Sequence, residues 1–167
     1  MIIENIDDLK DTLTSKDTAG IVMTSGGFDP AHIGHVRCII ESGKIARRMG
    51  YKLVVVVNGD GFLLRKKGYS FMNVAERMEI IDSIRGVDYV TTWDDGSQYV
   101  TGAVLKLNPN IFTKGGDRTD KSNIPEFSVC ENIDCEVMTG VGGDKIQSSS
   151  DLVRRMKDAS SQQALGT

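Results

Sequence analysis

Residues Leu53-Val54-Val55-Val56-Val57 form an unbroken apolar run in which four of the five side chains are β-branched. Such side chains favour the pleated conformation. A strand without polar alternation has no face to offer to water, so the run predicts a parallel strand covered on both sides by helices. The rest of the chain alternates in the same sense. Ile21-Val-Met-Thr24 predicts a first strand, and Val36, Ile39, Ile40, Ala46 and Met49 place one apolar face on a helix beginning near Ile33. After the central run comes a polar, basic stretch from Asn58 to Met72, read as a loop. A helix follows with Asn73 as its N-cap and Val74, Met78, Ile81 and Ile84 inward. Further strands are expected at Val87 to Thr91, Ile111 to Thr113 and Glu136 to Met138, with helices near 97–107, 125–132 and from Ser148 to about Asp158. Residues 1–18 read as an N-terminal helical arm and 159–167 as a flexible tail, so the 167 residues make one domain.

This alternation implies right-handed βαβ crossovers, hence a Rossmann-like, doubly wound sheet of about five parallel strands with helices on both faces. Ligands of such sheets lie beyond the carboxyl ends of the strands, where the strand order reverses. The unusual residues of this chain follow its strands: Ser25-Gly-Gly-Phe-Asp-Pro-Ala-His32, Asn58-Gly-Asp60 and Lys114-Gly-Gly-Asp117. Eighteen glycines, about 11% against a norm of roughly 7%, agree with loops that approach a ligand closely.

Charge and composition narrow the classes of function. Twenty basic residues against twenty-three acidic give −3, which supplies no global attraction to nucleic acid or an anionic membrane. The longest apolar run is far short of the ~20 residues a membrane helix needs, and the start of the chain lacks the basic region of a signal peptide. Cys38, Cys130 and Cys135 fit no zinc spacing and read as reduced thiols of a cytoplasmic protein.

The only two histidines are His32 and His35, three residues apart at the opening of a helix, with Gly34 between them. That spacing puts both rings on one side of a helix start, where free N–H groups and the dipole attract anions. A phosphoryl group in transit needs such donors. The alternatives are a locally hydrogen-bonded pair and a metal pair. No third histidine or evident carboxylate accompanies them, so no protein-held metal is expected. Arg65-Lys66-Lys67 could be a basic arm closing on phosphates or a solvated surface run. Arg77 opposes the dipole of its helix start, which favours a functional role over a salt bridge to Asp82 or Glu76. One of Ser148, Ser149 and Ser150 should be an N-cap. Trp93 reads as packing or interface, and Asp29 as holding its own loop through backbone N–H groups.

Gly27-Phe-Asp-Pro-Ala-His-Ile-Gly-His35 resembles the signature of the His-x-Gly-His nucleotidylyltransferase superfamily. Asn58-Gly-Asp60, Arg65 to Gly68, Asn73-Val-Ala-Glu-Arg77, Val87-Asp-Tyr-Val90, Lys114-Gly-Gly-Asp117 and Gln147-Ser-Ser-Ser150 continue in the order of its small cytidylyltransferase-like branch. The resemblance covers roughly residues 20–157. It is nearest to the heptose-1-phosphate adenylyltransferase domain of the bacterial bifunctional enzyme, with departures at Ser25-Gly-Gly27 and Gln147. It implies transfer of a nucleoside monophosphate from ATP or CTP to a small phosphorylated sugar or alcohol, with Mg²⁺ accompanying the triphosphate and pyrophosphate released.

The resemblance also assigns roles. Catalysis would rest on His32, His35, Lys66 and Arg77. Nucleotide and phosphate would be held by Ser25, Gly26, Gly27, Phe28, Gly34, Lys67, Lys114, Gly115, Asp117 and Ser148 to Ser150. Asp29, Asn58 and Asp60 would contact the acceptor. Relatives suggest a homodimer. A nucleotide-binding module without turnover is the reading from another class, disfavoured by the presence of His32, His35, Arg77 and the serine run together.

Overall fold

The computed structural model describes residues 1–116 and 120–165. Its five strands are β1 (Ile21–Gly26), β2 (Lys52–Asn58), β3 (Tyr89–Trp93), β4 (Ile111–Thr113) and β5 (Glu136–Met138). They form one sheet in the order β3-β2-β1-β4-β5, every neighbouring pair parallel. Seven helices are described: α1 (Ile6–Ser15), α2 (Ile33–Met49), α3 (Asp60–Lys67), α4 (Val74–Asp82), α5 (Thr101–Leu107), α6 (Phe127–Asn132) and α7 (Ser149–Leu165). The chain runs outward from β1 to β3 and returns to place β4 on the other side of β1. The reversal of strand order therefore lies between β1 and β4, and the crevice of the fold opens there.

The Leu53–Val57 run sorts by parity, as a strand buried on both faces must. Val54 and Val56 pack with Leu9, Leu13, Phe62, Val104 and Cys130, contributed by α1, α3, α5 and α6. Leu53, Val55 and Val57 pack with Ile39, Ala46, Met78 and Ile81 of α2 and α4. All five are fully buried, and each such side chain contributes up to roughly 1.5–3 kcal/mol relative to exposure. The sheet thus has helices on both faces, as the apolar run requires.

Four elements differ from their sequence-based expectation. The 58–72 stretch is not all loop, because α3 occupies Asp60–Lys67. Phe62 and Leu63 are buried, and Arg65, Lys66 and Lys67 fall in the last turn, where cations suit the helix dipole. Gly68, left-handed at φ 81°, then ends the helix. Strand β3 starts at Tyr89 rather than Val87, since the Asp88 carboxylate accepts from Leu53 N at 2.8 Å and takes up a backbone donor at the strand entrance. Helix α5 starts at Thr101, because 94–99 is folded into side-chain-capped turns such as Ser97 N to Asp95 Oδ1. The last helix runs on to Leu165.

The N-terminal segment is part of the core. Asn5 caps α1 by accepting from Asp7 N and Asp8 N, while Ile6, Leu9 and Leu13, spaced along one helical face, are buried. Ile3 N donates to Val90 O and Val90 N to Met1 O, so residues 1–3 run alongside β3. All three cysteines are free and buried. Among the described residues no helix is long and apolar enough to cross a membrane.

Candidate active site

The loop leaving β1 is held from several sides before any ligand enters. Phe28 adopts a left-handed φ of 51°. The fully buried Asp29 accepts hydrogen bonds from Phe71 N and Met72 N, both at 2.6 Å. Pro30 O accepts from Ser149 Oγ at 2.8 Å, which fastens the start of α7 to the same loop. Asp29 thus ties its own loop to the segment before α4, and the neighbouring Pro30 carbonyl ties that loop to α7.

His32 is the N-cap of α2. Its Nδ1 accepts from Gly34 N at 3.1 Å, and His35 Nδ1 accepts from His32 N at 3.2 Å, so the two histidines cap the helix reciprocally. A neutral imidazole that accepts at one nitrogen carries its proton on the other. Each ring therefore has Nε2–H to offer a ligand. The rings stack with centroids 3.7 Å apart, and His35 meets the edge of Phe28 at 5.0 Å. Burial, the neighbouring His32 and the charge of Lys67 push the pKa of His35 down to about 3. Burial and Lys67 lower that of His32. Both rings are held as neutral donors.

A cleft of about 350 Å³ opens over these residues at the carboxyl ends of β1 and β4. Ser25, Phe28, His32, Gly34 and His35 line it, as do Lys67 from the last turn of α3 and Lys114 and Gly115 after β4. Ser148, Ser149 and Ser150 close it from the start of α7. Ser148 Oγ accepts from Asp151 N at 3.1 Å and is the ordinary N-cap among the three. Burial and the charges of Lys66 and Arg77 lower the pKa of Lys67 against the opposing pull of Asp29.

Other expected residues do not line the cleft. Lys66 sits over the Phe62 ring at 5.5 Å, and the cleft is lined by Lys67 instead. Gly26 packs against the Phe28 ring, where a Cβ would come within 2.9 Å. Arg77 is fully buried, and its guanidinium donates to Met72 O, Gly27 O, Asn58 O and Asp60 Oδ1 at 2.6–2.9 Å. It clamps the ends of β1 and β2 to the start of α4, and neither Asp82 nor Glu76 pairs with it. Asp60 belongs to the same clamp. Burial pushes its carboxyl up, but bonds from Arg77, Val74 N and Ser70 outweigh this and hold it below the usual range. Asn58 contributes its carbonyl to Arg77, while its Oδ1 is buried without a hydrogen-bond partner among the described residues. Asp117 lies outside the described residues.

The sequence reading places Gly115 at the cleft but gives no site role to Cys38, which lies against it. Cys38, on α2, supports two glycine loops. A Cβ on Gly115 would lie 3.1 Å from its Sγ, and one on Gly142 only 2.5 Å from its backbone N. Gly142 also has φ 90°, so both conformation and space demand glycine there. The signal was legible as two Gly-Gly pairs, at 115–116 and 142–143, each following a strand. Among the described residues no cluster of three or more His, Cys, Asp or Glu is placed to hold a metal ion.

The family model described as cytidylyltransferase-like matches residues 23–156, which include every described residue of the cleft. The bifunctional protein HldE of Campylobacter concisus is 28% identical over 159 residues, covering 94% of this chain and 31% of its own length. That of Haemophilus influenzae strain PittGG is 35% identical over 115 residues, covering 66% and 23%. The chain thus spans less than a third of these curated relatives. Among solved structures, the lipopolysaccharide core biosynthesis protein from Thermoplasma volcanium superposes with a TM-score of 0.58 at 26% identity, covering 71% of this chain and 93% of the other.

Proposed function

The chain belongs to the cytidylyltransferase-like family of nucleotidyltransferases, and from that membership we propose that it transfers a nucleoside monophosphate from a triphosphate to a small phosphorylated sugar. In this reaction a phosphate oxygen of the acceptor attacks the α-phosphorus of the triphosphate. A new P–O bond forms, the bond to the β-phosphate oxygen breaks, and its electron pair leaves with pyrophosphate. No covalent enzyme intermediate is needed.

The observation that carries this reading is the reciprocal capping of His32 and His35. Because each Nδ1 already accepts a backbone N–H, each ring meets a ligand as an Nε2–H donor, and burial keeps both rings in that state. Two fixed donors beside the N-terminus of a seventeen-residue helix suit negative charge spread over phosphoryl oxygens. Lys67 and Lys114 add positive charge, Ser148 and Ser150 bring hydroxyls, and the start of α7 brings backbone donors. The protein's contribution is positioning and electrostatic stabilisation, the main requirement of phosphoryl chemistry.

Mg²⁺ enters this scheme with the triphosphate, as part of the substrate, since the described residues offer no carboxylate cluster of their own. The pairing of ATP with a sugar 1-phosphate rests on the similarity to HldE and to a protein of lipopolysaccharide core biosynthesis. Mass spectrometry after incubation with MgATP and heptose 1-phosphate tests it. The reading expects a nucleoside-diphosphate sugar and pyrophosphate in equal amounts. A product formed only from CTP with glycerol 3-phosphate or phosphoethanolamine would move the protein to a cytidylyl-transferring specificity. Hydrolysis of the triphosphate with no adduct from any acceptor would overturn group transfer.

A further inference from the structure

Glu126 carries no role in the account so far, yet it is a buried carboxylate beside Lys114, which lines the cleft. It is 5% exposed and occupies the residue before α6. Its Oε1 accepts from Val100 N at 3.4 Å. Its Oε2 has no hydrogen-bond partner among the described residues and stands 4.0 Å from Lys114 Nζ. Lys114 also donates to Ser25 Oγ at 3.2 Å and lies 4.7 Å from the centroid of the Phe112 ring. Its ammonium is thus located by a hydroxyl, a ring face and a carboxylate, at the crevice between β1 and β4.

Stability gives little reason for this arrangement. An undonated buried carboxylate oxygen is costly, and apolar replacements of buried ion pairs are often as stable. A lysine, by contrast, is a point charge on a flexible four-carbon stem and needs an external hold to be aimed. We infer that Glu126 is a positioning residue, which holds the Lys114 ammonium in place to receive a phosphate group without touching the ligand itself. The inference rests on the phosphate-binding reading of the cleft. Removing the carboxylate has two opposed effects on an anion. Losing a nearby negative charge strengthens attraction, whereas releasing Lys114 weakens it, and the positioning role requires that the second prevail.

Calorimetric titration of the full chain with MgATP, and separately with inorganic pyrophosphate, tests this on Glu126→Gln, Lys114→Met and the double variant. Glutamine keeps the shape and an acceptor for Val100 N, so Glu126→Gln isolates the charge. Expected are a weakening of about tenfold in Glu126→Gln, a similar or larger loss in Lys114→Met, and no additional loss in the double variant. A purely structural carboxylate would weaken binding equally on the Lys114→Met background, which overturns the inference. Unchanged or tighter binding by Glu126→Gln overturns it as well. Should Glu126→Gln melt far below the parent, Glu126→Asp retains the charge and is expected to bind better than Glu126→Gln, equal or weaker binding counting against the inference. Parent protein that binds neither probe removes the phosphate-binding reading and the inference with it. Parent that binds, with an indifferent Glu126→Gln, removes the inference alone.

Discussion

His32 and His35 lie ring over ring, with centroids 3.7 Å apart and planes 25° from parallel, and each gives its Nδ1 to a backbone N–H at the start of α2. Protonating either ring puts a hydrogen on a nitrogen that already accepts one, and protonating both places two positive charges in contact. The pair is built to remain neutral while donating through Nε2–H.

The pH dependence follows from that arrangement. The folded-state pKa of His35 is depressed from 6.5 to about 3, chiefly by burial and then by His32 and Lys67. Between those values the unfolded chain binds a proton that the folded chain refuses. This contribution to stability is therefore present above pH 6.5 and is lost progressively as pH falls toward 3. Ring ¹⁵N shifts of His35 should stay those of a neutral, Nε2-protonated imidazole at pH 5. Titration of His35 near 6.5 would contradict the geometry.

Removing one donor tests its catalytic weight. His35→Ala and His32→Ala are each expected to lower turnover by about 10²–10³, the usual effect of losing one preorganised transition-state donor. Circular dichroism should show the parent fold. Loss of turnover below tenfold in both variants would place the reacting phosphate elsewhere.

Arg77 makes a different prediction because it is buried behind the cleft. Arg77→Met leaves Gly27 O, Asn58 O and Met72 O without their donor and should cost about 3 kcal/mol or more. For a chain of this size that is a fall in Tm of roughly 6–12 °C. Arg77→Lys should recover little of it, since one ammonium cannot reproduce the fork of the guanidinium. An Arg77→Met protein that melts with the parent but has lost triphosphate affinity would show direct ligand contact instead.

Two glycines with left-handed φ separate backbone strain from damage to the site. Gly50, at φ 70°, ends α2 with open space around it, and Gly50→Ala should cost about 1 kcal/mol with binding unchanged. Gly142, at φ 90°, faces the backbone of Cys38. Gly142→Ala should cost about 2 kcal/mol or more and also weaken triphosphate binding, because the loop must lift off the cleft floor. Equal effects of the two substitutions, in melting and in titration, would argue against the loop's part in the site.

How much of this was legible depends on where the information is stored. The Leu53–Val57 run and the alternation around it specify a parallel sheet, because burial on both faces leaves a pattern in the side chains themselves. His32 and His35 stand out as the only histidines at a helix start. Ile111–Thr113 and Glu136–Met138 have the bounds expected of them. Helix α3 is hidden because its apolar residues, Phe62, Leu63 and Leu64, are consecutive and show no helical period, and the donor in its first turn, Phe62 N, is met by Asp94 from 32 residues away. Arg77 carries a functional-looking charge whose partners, three backbone carbonyls and Asp60, lie 5–50 residues away. The places of Cys38 and Glu126 beside the cleft are hidden in the sequence for the same reason. Their significance lies in what the fold brings against them, two glycine loops in one case and a lysine in the other.

The most direct measurement is pyrophosphate release with ATP, CTP, GTP or UTP and Mg²⁺, each against heptose 1-phosphate, glycerol 3-phosphate, phosphoethanolamine and phosphocholine, with His35→Ala alongside. The account predicts release with ATP and the sugar 1-phosphate, dependent on both, and a fall of at least about 10²-fold in the variant. A parent protein that releases no pyrophosphate with any pair and binds none of the four triphosphates would contradict it.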